Sequence, residues 1–196
     1  MPKDSLFNLE ESLKVSQKQN RRSYARVVER ILTLSERQPF DYDPSDPLKN
    51  LGKDYLRLAY LLVQAQGDKS NGEAREQIKN VTESLVINGI KFHLNFFRPS
   101  LLGVVEKRAF KRLISEMKST FAAKNADYGN AFRFWGIPGL VVRIGDKYLR
   151  LTQLTQKGYK RKVKEEKVPD TALDLANYGI MLLMILDEGR SLKWGE

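Results

Sequence analysis

The sequence predicts an all-α protein, a helical bundle with an N-terminal helical extension. Three observations carry this. Apolar residues recur at helix spacing in one segment after another. No stretch alternates apolar and polar residues as a half-buried strand would, and no hairpin turn signal stands out. The final segment, 169–186, is apolar almost all round, as a central buried helix is.

In chain order, residues 16–32 place Tyr24, Val27, Val28, Ile31 and Leu32 on one helical face. Pro39-Phe-Asp-Tyr-Asp-Pro-Ser-Asp-Pro then breaks the helix, because three prolines in nine residues cannot continue it. A second helix follows, with Leu51, Tyr55, Leu58, Leu61 and Leu62 on one side. Gly67-Asp-Lys-Ser-Asn-Gly forms a turn, where Ser70 or Asn71 caps a third helix running through Val81, Leu85, Ile87 and Ile90 towards Phe96. Asn88-Gly89 is a candidate break in it. Arg98-Pro-Ser starts a fourth helix, with Val104, Val105, Phe110, Leu113 and Met117 as its apolar face. The chain divides by this reading into a helical N-terminal region, 1–105, of no assigned role, and a second helical domain, 106–196.

Composition narrows the chemistry. The hydrophobic fraction of 41% is enough for a packed core. Without cysteine there is no disulfide, zinc-thiolate site or thiol nucleophile, and a single histidine excludes multi-histidine metal sites. His93, among Phe92, Leu94, Phe96 and Phe97, reads as a core or edge residue. Any metal would be held by oxygen ligands, which suits Mg²⁺ or Mn²⁺. Met1-Pro-Lys-Asp-Ser leads into polar sequence and 179–186 is too short to span a bilayer, so the expected location is the cytoplasm, with no membrane partner.

The net charge of +10 is concentrated. Residues 101–164 hold 15 Lys and Arg against 4 Asp and Glu, so the whole excess lies there. Such a local field points to a polyanion, a nucleotide or a nucleic acid, or else to a solvated basic face. The basic stretch 157–167 would close over phosphates, touch nucleic acid or serve as a solvated connection.

Three motifs supply candidate residues. In Lys124-Asn-Ala-Asp-Tyr-Gly-Asn-Ala-Phe-Arg-Phe-Trp, a glycine turn displays Lys124, Asp127, Asn130 and Arg133 to a phosphate or metal. Tyr128, Phe132, Phe134 and Trp135 either stack on a base or pack in the core. In Val142-Arg-Ile-Gly-Asp-Lys-Tyr-Leu-Arg-Leu, the residues Arg143, Asp146 or Lys147, and Arg150 share one helical stripe. That stripe is either an ion-pair ladder or a phosphate and metal face. In Asp170-Thr-Ala-Leu-Asp-Leu-Ala-Asn-Tyr, Asp170 and Asp174 share a face, with Asn177 and Tyr178 one turn on. A buried Asp174 needs a cation, and Arg143, Arg150 or Mg²⁺ could supply it.

Taken together and in this order, the three motifs resemble the nucleotide modification associated domain family, found largely in phages and in bacteria carrying phage-derived genes. The resemblance covers roughly residues 110–190. The Asp170–Asp174 helix is also similar to the later carboxylate motif of MazG-like all-α nucleoside triphosphate pyrophosphohydrolases. That similarity implies a homo-oligomeric enzyme in which Asp146, Asp170 and Asp174 hold Mg²⁺. Lys124, Arg143, Lys147 and Arg150 would hold phosphates, with Asp127 in support and the base on Tyr128, Trp135 or Tyr178. The chain departs from that pattern, since Arg143 and Lys147 flank a single Asp146 where the superfamily has paired glutamates. Three functions compete: a Mg-dependent (deoxy)nucleoside triphosphate pyrophosphohydrolase, a nucleotide-binding or sequestering module without turnover, and a DNA-contacting accessory protein.

Overall fold

The computed structural model describes residues 15–37, 46–66, 71–97, 107–158, 167–190 and 192. Among these it contains seven helices and no strand, so the all-α expectation holds. They are α1 (Gln17–Arg37), α2 (Pro47–Ala65), α3 (Asn71–Phe97), α4 (Lys107–Tyr128), α5 (Ala131–Phe134), α6 (Gly136–Leu154) and α7 (Val168–Asp187). The proline-rich stretch 38–45, the turn 67–70, the expected helix start at 98–100 with Val104 and Val105, and residues 159–166 of the basic stretch lie outside the described residues.

Helix starts follow local capping chemistry. Ser16 Oγ accepts from the Gln19 amide at 3.2 Å ahead of α1. Asp46 Oδ1 accepts from the Lys49 amide at 3.0 Å ahead of α2, with Pro47 in the first turn. The segment that breaks the chain after α1 therefore also carries the start signal of α2.

α7 is the central element, as its composition implies. Twelve of its residues are buried, and it packs chiefly against α3 and α6. α3 is continuous from Asn71 to Phe97, without the break considered at Asn88-Gly89. A side-chain carbon at Gly89 would meet Ala172 O, the Ala176 Cβ and Leu175 Cδ2 at 3.4 Å, so this glycine lets α7 approach closely and ends nothing. His93 Nδ1 donates to the Pro169 carbonyl at 3.0 Å, which ties α3 to the first turn of α7. At the other end, the Arg75 guanidinium donates to the carbonyls of Leu186 and Arg190 and closes the helix.

One core spans residue 105. Tyr24, Val28 and Ile31 of α1, Leu58 of α2 and Ile87 of α3 share it with Met117 of α4, Ile144 of α6 and Leu183 of α7. The helices before residue 105 thus complete the bundle around α7. α2 and α6 interlock through two tyrosines. Carbons placed at Gly145 and Gly52 would lie 2.3 Å from Tyr55 Oη and 2.6 Å from Tyr148 Oη respectively, and the two rings are 5.4 Å apart.

Candidate functional site

The site is assembled by the run from α4 through α5 into α6. Gly129 and Gly136 both have φ near +59°, a conformation that glycine adopts without strain. The first of these was expected from Asp127-Tyr-Gly-Asn, and the second was not. Between them lies the four-residue α5, and Tyr128, Phe134 and Trp135 of this run are at the surface.

Arg133 points the other way. Its guanidinium is completely buried, which corrects its placement among phosphate-facing residues. Nε and Nη2 donate to Asn20 Oδ1 at 3.0 and 2.8 Å, and the fork is bidentate on the Glu188 carboxylate just beyond α7. Its Cζ lies 5.0 Å from the centroid of the Phe132 ring. Asn130 is buried in the same network and also leaves the list of displayed residues. Its Oδ1 accepts from Asn20 Nδ2 at 2.5 Å, and its Nδ2 donates to the Val15 carbonyl at 2.7 Å. The network fixes the α5 turn to α1 and α7.

With its polar residues anchored inward, the turn presents aromatics outward. Tyr128 is 72% and Trp135 70% exposed, and Phe134 meets the Trp135 ring edge-on with centroids 4.6 Å apart. Together with Val15, Gln17 and Ala131 they line an open, mainly apolar hollow of about 720 Å³. Phe132 takes the core alternative and packs against Phe121.

Beside the hollow, one helical turn before Tyr128, Lys124 reaches Asp174 of α7. Its Nζ lies 3.4 Å from Oδ1, and Lys147 Nζ of α6 lies 2.9 Å from Oδ2. Three helices therefore meet at one carboxylate held by two ammonium groups, leaving a local surplus of one positive charge. From sequence, Asp174 is expected to be buried, with Arg143, Arg150 or Mg²⁺ as its cation. Its side chain is 32% exposed, and Lys124 of α4 and Lys147 of α6 reach it. Arg143 is exposed one turn before Lys147, with no ion pair among the described residues. Arg150 is half-buried.

The remaining candidates do not converge on Asp174. Asp127, Asp146 and Asp170 are exposed, and no group of three or more His, Cys, Asp or Glu able to hold a metal occurs among the described residues. This donor set does not fit a resident Mg²⁺. Asn177 Oδ1 accepts from the buried Tyr24 hydroxyl at 2.5 Å, and Tyr178 packs against the core. Burial alone pushes the Tyr24 phenol far above its usual range, so it serves as a neutral donor. Asn20, Asn125 and Glu188 are not marked by any local spacing, since the network partners Asn20–Asn125, Asn20–Arg133 and Arg133–Glu188 are 55 or more residues apart.

No helix among the described residues is long and apolar enough to cross a membrane. No curated protein and no solved structure matches the chain. The model of the family described as nucleotide modification associated domain 1 matches residues 124–186, from the last turn of α4 to the end of α7, a span that contains Lys124, Lys147, Asp174 and the three exposed aromatics.

Proposed function

We propose that the protein binds a nucleotide, with its phosphates on Lys124 and Lys147 and its base on Tyr128 and Trp135. The observation that carries the reading is the convergence of two lysines, from α4 and α6, on a single carboxylate. Asp174 holds both ammonium groups in place without neutralising them, and Arg143 adds an exposed guanidinium one turn away. The apolar hollow begins one turn along α4, within the span of one nucleotide, and exposed aromatics at its rim suit a base face. The similarity over residues 124–186 to a family described by nucleotide modification supports the same ligand class.

The reading stops at binding. The likeness to MazG-like pyrophosphohydrolases would place a metal on Asp146, Asp170 and Asp174, but the acids present do not fit one, so no hydrolytic step is derived. Calorimetric titration with each nucleoside triphosphate and the matching nucleoside tests the proposal. The triphosphate should bind, the nucleoside much more weakly, and Lys147→Ala should weaken the triphosphate by about tenfold or more. The proposal fails if no nucleotide binds, or if Lys124→Ala/Lys147→Ala leaves affinity unchanged. Pyrophosphate release in the presence of Mg²⁺ would overturn the restriction to binding.

A further inference from the structure

The two rings offered to a base stand on helices that share almost no direct packing. Tyr128 is the last residue of α4 and Trp135 directly precedes α6, and among the described residues these helices scarcely touch. The four-residue α5 between them is too short to hold its own shape. Gly129 and Gly136, both at positive φ, flank it. Stacking a base needs the rings at one spacing and tilt, so that geometry has to be set by side chains elsewhere.

Asn20 and Glu188 are those side chains. Asn20 is fully buried on α1, and its amide serves both halves of the platform. Nδ2 donates to Asn125 Oδ1 at 3.1 Å, three residues before Tyr128, and to Asn130 Oδ1 at 2.5 Å, two residues after it. Asn125 Nδ2 has no hydrogen-bond partner, so the bond from Asn20 is the one that its side chain makes. Asn20 Oδ1 accepts from Nε and Nη2 of Arg133, two residues before Trp135. Glu188 takes the end of the same guanidinium with both carboxylate oxygens. A planar fork held on two edges has one position, which a lone bond would not give it. Neither Asn20 nor Glu188 lines the hollow, and both lie outside residues 124–186.

We propose that Asn20 and Glu188 are positioning residues for base recognition. They hold Tyr128 and Trp135 in register before the ligand arrives, and so decide how much the base adds to affinity. This rests on the reading that the phosphates lie on Lys124 and Lys147 and the base on the two rings. It gives α1 a part in the site although it lies outside the matched span.

Calorimetric titration with ATP and with inorganic tripolyphosphate, on variants of matched helical circular dichroism, tests this. Tripolyphosphate reports the lysines alone, and the ratio of the two affinities reports the base. Trp135→Ala should lower that ratio by about fivefold or more. Glu188→Ala and Asn20→Ala should each lower it by about threefold or more with tripolyphosphate affinity unchanged. A mere loss of folded protein leaves the ratio where it was. Adding Glu188→Ala to Trp135→Ala should lower the ratio no further, because Glu188 acts through that ring. An unchanged ratio in Glu188→Ala, or a further fall in the double variant, overturns the positioning role and leaves the phosphate site standing. A wild type that binds neither ligand overturns the nucleotide reading itself.

Discussion

Glu188→Ala should be among the most damaging single changes at a side chain that touches solvent. Its carboxylate is the counter-charge of Arg133, whose guanidinium has no exposure at all. Without Glu188 that cation keeps Asn20 Oδ1, which already accepts two of its N–H groups, and the face of the Phe132 ring. Removing one partner of a fully buried pair costs about 3–5 kcal/mol. Here the Glu188 side chain is 26% exposed and water can enter in its place, so we expect a smaller loss, about 2–3 kcal/mol. For a chain of this length that lowers the melting temperature by about 4–12 °C. Urea unfolding followed by circular dichroism measures the loss. Arg133→Met removes the stranded charge, so the Arg133→Met/Glu188→Ala double variant should be less destabilised than the two single losses combined, by about 1 kcal/mol or more. A loss below about 0.5 kcal/mol for Glu188→Ala, or strict additivity, would refute the assignment of Arg133 as a buried ion whose stability depends on this partner.

Gly145→Ala should cost about 1–3 kcal/mol, because the new carbon would lie 2.3 Å from Tyr55 Oη and 2.8 Å from its Cζ. Urea titration checks this, and Gly72→Ala, with nothing nearby, is the control. Asp54 accepts from Ser84 Oγ at 2.9 Å and Asn88 Nδ2 at 2.7 Å, yet burial raises its carboxyl above the usual 3.8. The native state then holds a proton that the unfolded chain has released, so Asp54 lowers stability as pH rises through the window above 3.8. Asp54→Asn should accordingly raise the melting temperature at pH 7 relative to wild type, with the gain shrinking as pH falls below that window. The new amide could also reach Asn88 Oδ1, which has no hydrogen-bond partner. A gain that is independent of pH would sink this account. Phe121→Leu should destabilise by about 1–3 kcal/mol, since its ring stacks on Tyr24 at 4.2 Å and meets Phe132 edge-on.

Local periodicity made the helices legible, because apolar spacing is a property of each segment. Tyr24, Val28 and Ile31, or Phe110, Leu113 and Met117, are buried where the spacing placed them. Lys124, Lys147 and Asp174 were also identifiable as charged groups in one stretch, and they do meet. Their pairing was not legible, since which cation reaches Asp174 depends on how α4 and α6 pack on α7. The polarity of α5 was misleading for a related reason. Asn130 and Arg133 look like display residues in a turn, but their partners are Val15, Asn20 of α1 and Glu188 beyond α7, up to 115 residues away. Gly89 carried a breaker's local signature although its context is a helix crossing.

The central position of α7 has a consequence for how the chain comes together during synthesis. The helix that α3 and α6 need for burial follows both of them in chain order. Until it leaves the ribosome, the faces of α3 and α6 that it covers stay open, although α2 already packs on both. Residues such as Leu85, Ile87 and Ile144 then remain accessible to one another and to chaperones. Release of chains stalled before residue 168 should therefore yield collapsed, protease-sensitive species, and protection should appear in one step once α7 is free to insert.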